Sequence, residues 1–142
     1  MVAQCVGAIL FDGQRLLLGR RASHRQSYPN CWDIIGGHVQ IGEAFEQAMV
    51  REVEEEIGVT PIDYEQLTSL QFDDGSEGLA DLHIYCVHAW RGGVPTIRDD
   101  EHVELRWFTI ESACALTNLA SPEYRNVFRA TLPSTIARPA RG

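Results

Sequence analysis

The stretch from Gly37 to Val59, GHVQIGEAFEQAMVREVEEEIGV, constrains this chain more than any other. Phe45, Ala48, Met49, Val53 and Ile57 recur at helical spacing. At about 100° per residue they form one broad apolar face. The spacing predicts a helix that starts near Glu43 or Ala44 and stops before Gly58, a residue suited to the left-handed conformation that ends helices. Glu52, Glu55 and Glu56 stand at i, i+3 and i+4 and so share one side of it. Their arc overlaps the Phe45 and Ala48 side, while Gln47 and Glu54 take the opposite face. The three carboxylates are therefore expected along the seam where the helix meets the protein. Taken alone, the cluster has two readings. A solvated acidic face is one, although like charges at i,i+4 repel by roughly a few tenths of a kcal/mol. A divalent metal site is the other, because hard cations such as Mg²⁺ take carboxylate oxygens and share them with substrate phosphates.

Composition narrows what such a site can serve. At 142 residues and 44% apolar content, the chain is expected to form one domain, with Ala137 to Gly142 as a frayed tail. It carries 12 basic and 20 acidic residues, a net charge of −8. That balance disfavours nucleic acid as a partner, since phosphate backbones need a basic surface. There is no lysine, which excludes a P-loop lysine and Schiff-base chemistry. Arginine must then supply every fixed side-chain cation that meets a phosphate. No apolar run reaches the length of a membrane span, and the N-terminus lacks the basic start of a signal peptide. Cys5, Cys31, Cys86 and Cys114 form no CxxC pair, so buried thiols in a cytoplasmic protein are expected rather than zinc or disulfides.

Around the helix the chain alternates strands and turns. Val6 to Phe11 and Arg15 to Gly19 read as a hairpin across Asp12-Gly13. Arg20, Arg21 and Arg25 follow, either as ordinary surface charge or as contacts to substrate phosphates. Trp32 to Ile35 reads as a short strand leading into a Gly36-Gly37 loop, with His38 adjoining it. Pro61 reads as a break. Tyr64 to Phe72 and Leu79 to Trp90 read as strands joined by the polar loop Asp73 to Gly78. Asp99 to His102 form a second acidic cluster ahead of a strand from Val103 to Phe108. Thr109 is placed to cap a short helix from Ile110 to Leu116, and Ser121-Pro122 to start another that runs to about Leu132. Asn118 and Tyr124 are candidates for lining a base or sugar pocket. If His102 takes a proton, Asp100 and Glu101 are expected to raise its pKa.

The Gly37–Val59 stretch resembles the Nudix box of the Nudix hydrolases: Gly, five residues, Glu, seven residues, Arg-Glu-aliphatic, one residue, Glu-Glu, one residue, Gly-aliphatic. Gly37, Glu43, Arg51, Glu52, Val53, Glu55, Glu56, Gly58 and Val59 occupy every constrained place. The resemblance implies an α/β fold, the Nudix α/β/α sandwich with a mixed sheet between helices. It implies hydrolysis of a nucleoside diphosphate linked to another moiety, with Mg²⁺ as cofactor and Mn²⁺ able to substitute. In the same way it nominates Glu52, Glu55, Glu56 and the Gly36 carbonyl as metal ligands, and Arg51 as the residue that orients Glu52. Glu43 is expected to brace the loop or assist a ligand, with Gly37 and Gly58 structural. His38 stands where relatives often carry lysine, and is taken with the arginines as substrate-binding. Ile35 departs from the proline that many members have there. A likeness to the GDP-mannose hydrolases makes Glu101 a further ligand and His102 a base, in competition with Glu52. The small size favours a MutT-like nucleoside triphosphate pyrophosphohydrolase. A nucleotide-sugar or ADP-ribose hydrolase and a non-catalytic nucleotide-sensing module are the alternatives. A small-molecule nucleotide is the expected partner, without nucleic acid or membrane. Base preference and assembly, a homodimer included, stay open.

Overall fold

The computed structural model describes residues 2–73 and 78–137, with side chains as far as residue 131. The elements run β1 (Ala3–Asp12), β2 (Arg15–Arg21), β3 (Trp32–Asp33), β4 (Ile35–His38), α1 (Phe45–Ile57), β5 (Thr60–Asp73), β6 (Leu79–Arg91), β7 (His102–Thr109), α2 (Ile110–Cys114) and α3 (Tyr124–Ala137). The strands form a seven-stranded sheet in the order β3-β2-β1-β6-β5, with β4 added on β1 and β7 on β2. β1 runs parallel to β6 and antiparallel to β2 and β4. This is the mixed sheet that the resemblance implies.

β1 reads as a nearly continuous apolar run because both of its faces are covered. Val6, Ala8 and Leu10 point into one core with Ala48, Met49, Val53 and Ile57 of α1. Cys5, Ile9 and Phe11 point into the other, with Ile110 of α2 and Tyr124, Val127 and Phe128 of α3. The period of two along a strand thus distributes one segment between two helical layers.

Three readings of the sequence are corrected. Pro61 does not break the chain: it lies within β5, opposite Trp90, with register shifts on its C-terminal side. β5 is the last strand in the sheet order, and an edge tolerates a residue without an N–H. Trp32 to Ile35 is not one strand. β3 pairs with β2, whereas β4 pairs with β1 and carries Gly36 and Gly37 as strand residues. Ile35 is fully buried in the α1 core, the environment a strand residue facing inward should have. The last helix begins at Tyr124 and continues to Ala137, past Leu132. β1 starts three residues before Val6 and β5 four before Tyr64, and the remaining boundaries shift by a residue or two. Most of the Asp73–Gly78 loop, and the tail beyond Ala137, lie outside the described residues.

Gly36 shows why this junction admits no larger residue. A Cβ there would stand 2.0 Å from the Val6 carbonyl oxygen and 2.8 Å from Gly7 Cα. Both obstacles are backbone, so relief requires β1 and β4 to part. Gly36→Ala should therefore cost at least about 2 kcal/mol, toward the upper part of the usual range for overpacking. Chemical denaturation of the two proteins measures this, and equal midpoints would contradict it.

Candidate active site

α1 carries Glu52, Glu55 and Glu56, and its ends fix their height along the sheet. Ala44 precedes it and offers no side-chain cap; instead its N–H donates to the Gln47 side-chain oxygen at 2.9 Å. At the other end Gly58 adopts φ of +73° and donates to the Glu54 carbonyl at 3.1 Å. The Thr96 and Arg98 N–H groups donate to the Ile57 and Glu56 carbonyls, so the loop after β6 closes the helix. Ala48, Met49, Val53 and Ile57 are buried as read from the sequence. Phe45 is partly exposed and stacks on His83 at 4.0 Å between ring centroids.

Arg51 joins the helix to the loop before it. Its Nε and Nη2 donate to Glu43 at 2.7 and 3.0 Å, and Nη1 to Glu52 at 2.9 Å and Glu55 at 3.2 Å. Nη2 also donates to the His38 carbonyl at 3.0 Å. Glu43 in turn accepts from the Gln40 N–H at 3.0 Å, which braces the loop. Hydrogen bonds from Arg51, and then from Gln40, hold the Glu43 carboxyl down at about 2. Glu52 leans on Gly37, where a Cβ would come within 2.6 Å of its carboxylate. This is room that only glycine leaves.

The three helix carboxylates differ in surroundings. Glu55 is exposed and bound by Arg51. Glu52 is half-buried at the cleft. Glu56 is 2% exposed, and neither of its oxygens has a hydrogen-bond partner. Glu52 can bond it only when one of the two acids holds a proton. Burial first, then the Glu52 carboxyl beside it, pushes the Glu56 pKa strongly up. Beside Glu56, Asp99, Glu101 and His102 bring one ligand atom each to within 4.8 Å of one another and of Glu56. Glu101 is held by Arg25 at 3.1 Å, and its carbonyl accepts from the Ala22 N–H. His102 is 5% exposed and neither ring nitrogen has a partner. Its pKa does not rise as the sequence suggested. Burial depresses it to about 4, outweighing the upward pull of Glu101, and Arg21 and Arg25 add to the fall. Asp100 is absent from these influences.

Glu52, Glu101 and His102 edge a cleft of about 650 Å³, within the usual span of small-molecule sites; Glu55, Glu56 and Asp99 stand behind its lining. Glu52, Arg51, Gly36, Gly37, His38, Glu101 and His102 line one end, and Arg21 and Arg25 also face it. Arg20 does not: it pairs with Glu104 at 3.4 Å. Of the two pocket candidates, Tyr124 lines the cleft, whereas Asn118 donates to the Asn30 carbonyl. Two acids escaped the sequence reading as site residues. Asp33 accepts from the Tyr124 hydroxyl and the Ile34 N–H, each at 2.8 Å, and meets Arg21 at 3.4 Å. Burial raises its pKa against all three. An acid between Trp32 and Ile34 in an apolar run was the available signal. Asp99 had none beyond its place in an acidic loop.

With that geometry in view, the similarities to known proteins are specific. The NUDIX domain model matches residues 1–130. CTP pyrophosphohydrolase from Escherichia coli (strain K12) is 31% identical over 140 residues, covering 99% of this chain and 98% of that protein. The 8-oxo-dGTP diphosphatase of the same organism is 31% identical over 87 residues, covering 61% of this chain and 66% of that protein. The structure of a MutT NUDIX hydrolase from Burkholderia pseudomallei matches with a TM-score of 0.78 at 27% identity, covering 91% of this chain and 97% of that one. The chain belongs to the Nudix family. It is a MutT-like hydrolase of phosphorus-containing acid anhydrides, and its acidic cluster offers ligands for the divalent metal on which such enzymes depend. Among the described residues, no helix is long and apolar enough to cross a membrane.

The Arg51–Glu43 pair should give stability a definite acid dependence. Glu43 sits at about 2 in the folded protein, against about 4.3 when unfolded. Its contribution is present above the unfolded value and is lost as pH falls through the folded one. The stability gap between wild type and Arg51→Met should be constant near neutrality and narrow between pH 5 and pH 2. Urea unfolding across that range checks it; a gap that stays constant throughout would rule out the linkage.

Proposed function

We propose that this protein is a Mg²⁺-dependent nucleoside triphosphate pyrophosphohydrolase, with Mn²⁺ able to substitute, which releases a nucleoside monophosphate and pyrophosphate. The observation that carries the reading is Glu56. A carboxylate buried without a partner is costly unless a cation compensates it, and Glu52, Glu101 and the cleft stand beside it. The donor set is dominated by carboxylate oxygens, as hard divalent cations require. Glu52, Glu55, Glu56, Glu101 and the Gly36 carbonyl are the proposed ligands. Mg²⁺ held there supplies charge neutralisation for the polyphosphate and for the oxygen that leaves. The full-length similarity to a CTP pyrophosphohydrolase supports a nucleoside triphosphate as substrate.

The remaining steps belong to the chain's own side chains. Arg21 and Arg25 meet phosphate oxygens in the cleft, and His38 borders their approach. Arg20, tied to Glu104, drops out of the substrate set. Water attacks phosphorus, its proton passes to Glu52, and the P–O bond of the anhydride breaks. Arg51 holds Glu52 in place for this. His102 is the poorer base: at about 4 it has little drive to take a proton near neutral pH.

Two measurements test the proposal. Glu56→Gln should lose roughly a hundredfold or more in kcat, the usual scale for one strong electrostatic stabiliser. In chelator its thermal stability should equal or exceed that of wild type, because the buried acid must take up a proton to fold at neutral pH and glutamine need not. EDTA should abolish wild-type turnover of a panel of nucleoside triphosphates, nucleotide sugars and ADP-ribose; full turnover in excess chelator, or turnover confined to the sugars, would refute it.

The base is tested separately by pH profiles. Glu52→Gln should lose between about a hundredfold and ten-thousandfold in kcat. His102→Gln should leave the acidic limb of the profile where wild type has it. With metal held at saturation for both proteins, a limb that moves or disappears in His102→Gln would make the histidine the base.

A further inference from the structure

Glu56, Asp99, Glu101 and His102 face one another in a way that ordinary packing does not explain. His102 Nδ1 lies 3.6 Å from Glu56 Oε1 and 4.0 Å from Asp99 Oδ1. Both distances are too long for hydrogen bonds. They are the distances of two ligands on one ion: groups each about 2.1 Å from a shared metal stand roughly 3 to 4.2 Å apart. A structural histidine in a core normally finds partners for its nitrogens. Here both nitrogens, and both oxygens of the buried Glu56, have none. The backbone makes room for the ring, since a Cβ on Gly19 would stand 2.6 Å from His102 Cδ2. Asp99 accepts from the Glu101 N–H at 3.2 Å, which fixes the loop that presents both acids.

We propose that Asp99 and His102 join Glu56 and Glu101 in a second metal site, one nitrogen among carboxylates, that takes a transition ion of the Mn²⁺ to Zn²⁺ class. The inference rests on the metal-dependent reading above and adds two ligands and an ion preference to it. Mg²⁺ favours all-oxygen sets and keeps its waters. An imidazole suits first-row transition ions. The site lies where α1 meets the loop before β7, so an ion there also ties that loop to the helix.

Mn²⁺ itself is the probe. Chelator-treated protein is titrated with MnCl₂, and binding is followed by the loss of the free-ion electron paramagnetic resonance signal. Pulsed measurements on the bound ion then read its ligands. Wild type should show spin-echo modulation from imidazole ¹⁴N. His102→Gln should lose that modulation, and both His102→Gln and Asp99→Asn should bind Mn²⁺ at least about tenfold more weakly. Circular dichroism establishes that each variant is folded; if His102→Gln is not, the wild-type modulation alone still decides. Bound Mn²⁺ without nitrogen modulation, together with chelator-sensitive activity, would overturn this site and leave the metal-dependent reading intact. No Mn²⁺ binding, together with full turnover in chelator, would overturn both.

Discussion

Arg51 is the group on which the geometry of the acidic site depends. One planar guanidinium reaches the loop through the His38 carbonyl and Glu43, and the helix through Glu52 and Glu55. A lysine, with a single point of charge, cannot span four acceptors spread over two segments. The bonds set the loop against the middle turns of α1, and Gly37 then lets the strand approach the Glu52 carboxylate. The cation also offsets repulsion among acids that would otherwise force the segments apart. In a chain without lysine, this arginine at the cleft wall is used for assembly, and Arg21 and Arg25 also face the cleft.

Beyond the reach of Arg51 the balance changes. Glu56 and His102 are as buried as core residues, yet their polar atoms have no partners. Such groups persist only where surrounding structure holds them. Two apolar cores on opposite faces of β1 supply that support, since burying aliphatic and aromatic side chains is the main favourable term in folding. Closure of the α1 C-terminus by residues 96–98 presses the loop that carries Asp99 against the helix. The unpartnered polar groups are thus bordered by packed apolar cores and by the closed end of α1, the arrangement expected when stability is given up locally for function.

Much of this was legible beforehand, for reasons that differ by residue. The helix and its acids were readable because periodicity places side chains on a face without any knowledge of partners. Glycine spacing marked the ends of the box. Pro61 misled because a proline's cost depends on whether its strand lies at an edge, and edges are a property of the sheet. Gly36 and Gly37 looked like a loop because β4 gains its strand identity only by pairing with β1. The direction of the His102 shift was misjudged because the neighbouring acids are visible in the sequence and burial is not. Burial won.

The sequence by itself determined the family, the acidic helix, the absence of lysine chemistry and the pattern of apolar faces, all of which depend on local order and spacing. Tertiary structure alone decided which glutamate is buried and which meets solvent, since Glu55 and Glu56 are adjacent in the chain and differ only in what packs over them. It also decided that Arg21 and Arg25 face the cleft while Arg20 pairs with Glu104. Asp33 and Tyr124, far apart in sequence, are joined because residues 118–120 hydrogen-bond to Trp32 and carry the start of α3 to the cleft. Distances between segments set desolvation and pairing, and those distances exist only once the sheet has closed.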